Sequence, residues 1–227
     1  MTQRDYAVFL DPVIAAIDAL IAARSDAAQS VGDAKEFLEF KVYATLHIGD
    51  QIREQLPAAA SALSREGDSF NVTFDHGARF ALFLLVDSFL FEAGSIRDAV
   101  AQLANAAFAI GVATDDTRLA DKVRHYLKPD GTKETDLEAW FEDTAQPDWL
   151  RQLLRLRNAT THRHVVRLPV QFRWKDYGAS WMSSIHVEAG EGKYEPLLEF
   201  IDRTEKELCA LLVKSLKCLA EVKSPVR

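Results

Sequence analysis

Apolar residues recur at helical spacing along most of this chain. Phe9, Val13, Ile17, Leu20 and Ile21 predict an N-terminal helix over residues 5–24, an accessory to the main bundle. Pro12 fits its first turn if the helix starts near Asp11. Gly32-Asp33 reads as a break, and a second helix follows over 34–55 through Phe37, Leu38, Val42, Leu46 and Ile52. Pro57 opens another turn or two to Leu63, and Arg65-Glu66-Gly67-Asp68-Ser69 reads as a loop. From Asp75 the chain enters its most apolar stretch, Phe80 to Phe91. Apolar residues surround this first half, which predicts a central helix with neighbours on all sides. The pattern runs on through Ile96, Val100, Leu103 and Phe108, with a kink expected at Gly94-Ser95. Shorter helices are predicted over 115–127 and 135–141, separated by Pro129-Asp130-Gly131.

Asp148 stands where an N-cap or first-turn acid belongs for a helix from Trp149 to about Thr161. After His164 the period changes toward two. Val165 to Trp174 and Ser183 to Glu188 partly alternate, which predicts a small β-hairpin or ribbon over about 165–190, with Pro169 at an edge. A last helix over 196–222 carries Leu197, Phe200, Ile201, Leu208, Leu212 and Leu219. The expected fold is mainly all-α: a helical bundle around a central apolar helix, with a small β-hairpin or ribbon inserted before the last helix. No linker, repeat or low-complexity segment divides residues 1–227, so one domain is expected.

Composition narrows the function classes. At 227 residues and 48% hydrophobic content the chain can bury a core without staples. Cys209 and Cys218 match neither metal-ligand nor CxxC spacing and read as reduced thiols. The N-terminus has no basic region followed by an apolar run, so no secretory signal is expected. Asp87 interrupts the Phe80–Phe91 run, which is too short to span a bilayer. A cytoplasmic protein without a membrane partner is the expectation. HExxH, Walker A, GxSxG and GxGxxG are absent, and no His follows a Glu by three. His47, His76, His125 and His186 lack partners at metal spacing. Neither a metal nor a cofactor is therefore expected. The formal net charge of −7 argues against general nucleic-acid coating, but not against a local basic cleft.

That cleft has one candidate source. Between Trp149 and Trp174 stand six arginines and two histidines but no Asp or Glu. Arg157 lies in phase with Leu150, Leu153 and Leu154, so it should face the bundle or a partner. Arg151 and Arg155 lie off that stripe and should face outward. An inward arginine needs a partner or a ligand. Asp87 and Glu92, acids in the apolar run, are the candidate partners. Asn158 and His162 are four apart and share a helical face, whereas Arg157 and His162 converge only if the helix ends or bends near Thr160-Thr161. This set suits metal-independent cleavage of RNA phosphodiesters. An imidazole can move the 2′-hydroxyl proton or protonate the leaving oxygen. A guanidinium can stabilise charge growing on the phosphorane oxygens. One histidine cannot easily be both acid and base, so a second copy or His164 would complete the set. Arg151, Arg155, Thr161, Arg163, His164 and Arg167 are the candidate RNA-binding residues around it. Trp174 and Trp181, beside Lys175 and Tyr177, can stack on bases or pack a hairpin.

Arg157-Asn158-Ala159-Thr160-Thr161-His162 resembles the R-x4–6-H motif of the HEPN superfamily, in the form with a polar residue after the arginine. The resemblance implies an all-α bundle that dimerises and sets its two motifs in a shared basic cleft. It implies Arg157 and His162 as the catalytic pair and Asn158 as the accessory polar residue, with an acid nearby, Asp87 or Glu92, on an earlier helix. Many members are metal-independent ribonucleases of toxin–antitoxin, CRISPR-linked and phage-defence systems. Expected partners are then RNA, a second copy, and an antitoxin or regulatory protein. The alternative is a non-catalytic helical module that binds RNA, a nucleotide or a partner protein through the same cleft.

Overall fold

The computed structural model describes residues 6–24, 27–60, 62–66, 69–116, 118–127, 139–141, 145–161, 166–174, 181–190 and 192–221. Among the described residues, the main helices are α1 (Ala7–Ala23), α2 (Ala28–Ala59), α3 (His76–Ala107), α4 (Leu119–Leu127), α5 (Asp148–Thr161) and α6 (Leu197–Glu221). A hairpin of β1 (Ala62–Glu66) and β2 (Ser69–Thr73) joins α2 to α3. Between α5 and α6 an antiparallel sheet runs in the order β3 (Val170–Trp174), β4 (Trp181–Gly190), β5 (Lys193–Pro196). The chain is thus mainly helical, with a small sheet before the last helix.

The long antiparallel pair α2–α3 is the frame. Lys41 meets Glu92 at 2.7 Å, and Gln55 Nε2 donates to the Ala78 carbonyl at 3.3 Å. The first contact lies near the middle of both helices and the second where α2 ends and α3 begins. α3 starts sharply because the Asp75 carboxylate accepts from the Ala78 N–H at 2.9 Å, a side-chain N-cap. Its buried face carries Leu82, Val86, Phe89, Ala93, Ile96 and Val100, against which α2, α4 and α5 pack. α6 buries Leu197, Phe200, Ile201, Leu208, Leu212, Leu216 and Leu219, and α1 lies along it. Each such fully buried side chain contributes about 1.5–3 kcal/mol.

Several boundaries differ from the sequence expectation, each for a local reason. α1 begins at Ala7, so Pro12 sits in the second turn rather than the first. α2 begins at Ala28 and passes through Gly32, a helical glycine with open space around it. One interior glycine costs about 1 kcal/mol, too little to end so long a helix. α2 also passes Pro57 to Ala59, and the chain then turns into β1 at Ala62. Leu63 is in a strand, not a helical turn, and Arg65, Glu66 and Ser69 are hairpin residues rather than loop. Strands of five residues are too short for their alternation to stand out. α3 is unbroken at Gly94-Ser95. α4 starts at Leu119, after an Asp116 turn in which the Arg118 N–H bonds the Asp116 carboxylate at 2.8 Å. Of the helix expected over 135–141, residues 139–141 are helical and buried, with Trp140 Nε1 donating to Ser215 Oγ at 2.8 Å; residues 135–138 lie outside the described ones.

The larger correction concerns the first half of α3. It was expected to be covered on all sides. Instead Phe80, Leu84 and Phe91 are exposed at 65%, 53% and 45%, and Asp87 lies on the same open stripe. An apolar run fills a helix face whether or not another element covers it.

Candidate functional site

α5 is placed by Leu150, Leu153, Leu154 and Leu156, all buried, and by Gln152. Gln152 Nε2 donates to Glu195 at 2.7 Å and to the Glu188 carbonyl at 3.1 Å, which fastens the helix to β4 and β5. Arg203 on α6 joins the same cluster, donating to Gln152 and Glu195. The helix reaches Thr161. There the hydroxyls of Thr160 and Thr161 accept their place at the end by donating to the carbonyls of Arg157 and Asn158 at 2.8 and 3.0 Å. These are back-bonds to carbonyls one turn earlier, the usual habit of threonine in a helix.

Arg157 turns inward from α5 onto α3, as its phase requires. Its stem crosses Gly94: a Cβ at that position would stand 2.8 Å from Arg157 Cδ and 3.0 Å from Cγ. Gly94 is therefore a close-approach glycine and not a kink. The guanidinium lies 6.0 Å from the Phe91 ring centroid, and Nη2 reaches Asp98 Oδ2 at 3.4 Å. The acid that Arg157 meets is thus Asp98, and neither sequence candidate reaches it. Glu92 is taken by Lys41. Asp87 is exposed and forms no ion pair among the described residues. An acid on an open stripe needs no buried partner, which removes the reason for pairing it with Arg157. Partial burial still pushes the Asp87 carboxyl above its ordinary value.

Arg157 lines an open cleft of about 640 Å³ between α2, α3, α4 and α5. Lys41 and Arg97 are its other cations, and Phe37 and Phe91 line it too. The opposite rim carries Asp115, Asp116 and Asp121. The Lys122 ammonium, and then the Arg118 N–H, hold the Asp116 carboxyl below the usual range. The cleft is consequently a mixed-charge site. The acid-free 149–174 stretch does not make this cleft uniformly basic. Acids outside the 149–174 stretch supply what it lacks. Asp148 pairs Arg151, Glu188 pairs Arg155 at 3.2 Å, and Asp98 meets Arg157.

Asn158 and Thr161 are exposed on the last two turns of α5. Arg167 is exposed on the segment that enters β3 and forms no ion pair with a described residue. His162, Arg163 and His164 lie outside the described residues, as do Lys175 and Tyr177 and the side chains of Trp174 and Trp181. No described helix is long and apolar enough to cross a membrane.

No family profile, curated protein or solved structure matches this chain. The geometry around α5 therefore carries the functional reading alone.

Sequence reasoning missed Asp98, Lys41, Arg97 and Gly94. A signal existed for Asp98. Asp87, Phe91 and Asp98 are spaced by four and seven, one helical face, and that face runs from the exposed stripe into the Arg157 cleft.

Proposed function

We propose that the chain is a HEPN-like, metal-independent endoribonuclease in which Arg157 and His162 act on one RNA phosphate. The observation that carries this is the state of Arg157. It is held at an open cleft by a single 3.4 Å contact to a half-exposed acid, not locked in a buried pair. A guanidinium so placed keeps donors for a phosphate. In the proposed reaction the ribose 2′-oxygen attacks phosphorus and the bond to the 5′-oxygen breaks. An imidazole takes the 2′-hydroxyl proton, a second acid protonates the leaving oxygen, and Arg157 balances charge on the phosphorane. His162 of this chain and an imidazole from His164 or a second copy fill the two proton roles, and Asn158 positions the phosphate. A toxin or phage-defence role, with an antitoxin or regulatory partner, fits such an activity.

A homodimer is part of the proposal. Phe80, Leu84 and Phe91 form an exposed apolar stripe on α3, and Phe40 of α2 continues it. Phe40 and Phe91 lie 5.9 and 5.4 Å from the same Lys41 ammonium. An apolar patch of this kind beside the cleft supports a second copy as its cover. Leu84→Glu should then yield a monomer by sedimentation.

The acids on the cleft rim favour a second reading, a non-catalytic module that takes a partner protein or nucleotide. Incubation with RNA in EDTA separates the two. The ribonuclease leaves 2′,3′-cyclic phosphate ends and loses its activity in His162→Ala. The module leaves RNA intact.

A further inference from the structure

A second cleft, of about 950 Å³, opens on the other side of α5. Its floor is apolar, from Phe83 of α3, Leu156 of α5 and Leu168. Three polar or aromatic side chains line it. Glu188 pairs with Tyr194 in the β4–β5 register. The β3–β4 register pairs Val170 with Ile185, and His186 N–H donates to the Pro169 carbonyl at 2.9 Å. Arg167 lies two residues before Pro169, on the segment that leads into β3. Arg167, Glu188 and Tyr194 come from three successive segments and all line the cleft. They differ in what they offer. Arg167 is the arginine of the stretch with a described side chain that no described acid pairs. Glu188 is held at the rim by Arg155 at 3.2 Å. Tyr194 is 37% exposed and lines the cleft together with the apolar residues.

We infer that this cleft binds one nucleotide of a single RNA strand, a subsite of the RNA reading proposed above and dependent on it. A nucleobase is planar, apolar on its faces and polar at its edge. The Tyr194 ring and the apolar floor receive the face. Glu188 accepts from an exocyclic amino group on the edge. Arg167 takes the adjoining phosphate. The volume falls within the roughly 300–1,000 Å³ of small-molecule sites. Leu156 and Ala159 of α5 border this cleft while Arg157 borders the first. A strand seated here is therefore held one helix width from the proposed reacting phosphate.

The test is fluorescence anisotropy with a labelled 2′-O-methyl oligoadenosine, which cannot be cut through the 2′-oxygen. Tyr194→Ala should weaken binding roughly tenfold, the usual size of one lost stack. Tyr194→Phe should retain wild-type affinity, and both variants should keep the wild-type thermal melt. Arg167→Gln should weaken binding and lower the salt dependence by about one released ion. Equal affinity of Tyr194→Ala and wild type overturns the subsite, and so does absence of wild-type binding. If Tyr194→Ala binds normally while wild type still cuts RNA in EDTA, the subsite fails and the ribonuclease stands. If Tyr194 matters and wild type does not cut, the subsite stands and the catalytic reading fails.

Discussion

Arg53 and Arg157 are equally exposed, at 23% and 24% of their side-chain surface, and both lie beside a glycine. They are otherwise opposites. Arg53 grips Glu205, which is fully buried, with Nη1 and Nη2 at 3.2 and 2.6 Å, and also bonds Asp50 and Asp202. Desolvation works against its charge, yet the hydrogen bonds to Glu205 and Asp202 outweigh it and leave its pKa raised. Gly49 makes this possible, since a Cβ there would sit 2.0 Å from a Glu205 carboxylate oxygen. Arg157 has one long contact to a half-exposed acid and an open cleft in front of it. Burial alone does not separate a structural arginine from a functional one. What separates them is how many of the guanidinium's donors the fold has already used.

The contrast can be broken at either end. The largest effect is expected for Arg53→Met. It removes the cation facing a fully buried carboxylate and should cost about 3–5 kcal/mol in urea unfolding. Gly49→Ala comes next, at about 2–3 kcal/mol, because the new methyl displaces Glu205 from its grip. A loss under about 1 kcal/mol in either variant would mean that α2 and α6 are not held through this cluster. Arg157→Ala should cost only about 1 kcal/mol, the scale of a solvent-exposed pair, while abolishing RNA cutting. A loss as large as that of Arg53→Met would make Arg157 structural. Gly94→Ala sharpens the same point. The helix gains about 1 kcal/mol from alanine, and overpacking against the Arg157 stem offsets it. Stability should hardly change, yet displacement of Arg157 should lower cutting.

The smallest effect is expected for Asp87→Asn. The folded Asp87 carboxyl lies above its unfolded value because burial disfavours its charge. The folded state thus binds the proton more tightly. The wild type is relatively more stable at acid pH and loses that advantage as pH rises through the folded value. The asparagine variant should therefore melt slightly above wild type near pH 7, and the difference should vanish below about pH 3. A gap that widened toward acid would reverse the sign.

The helices were legible in the sequence because a buried stripe imposes its period on the residues. Asp75 and Asp148 marked helix starts that the structure keeps. Arg157 could be assigned inward from its phase with Leu150, Leu153 and Leu154. The β1–β2 hairpin was not legible, since five residues of Ala62–Glu66 carry too few alternations. The charge of the site was not legible either. A stretch without acids looks basic only along the chain. Asp98 and Glu188 reach it from 59 and 33 positions away. Asp87 and Glu92 were visible as anomalies in an apolar run. One is solvated and the other belongs to Lys41, and that choice depends on how α2 lies on α3.

The most direct measurement is cleavage of a single-stranded RNA in EDTA by wild type, Arg157→Ala and His162→Ala, with thermal melts run in parallel. The account predicts fragments with 2′,3′-cyclic phosphate ends from the wild type only, with all three melts within a few degrees of one another. Intact RNA with the wild type, or unchanged cutting by either variant, would contradict it.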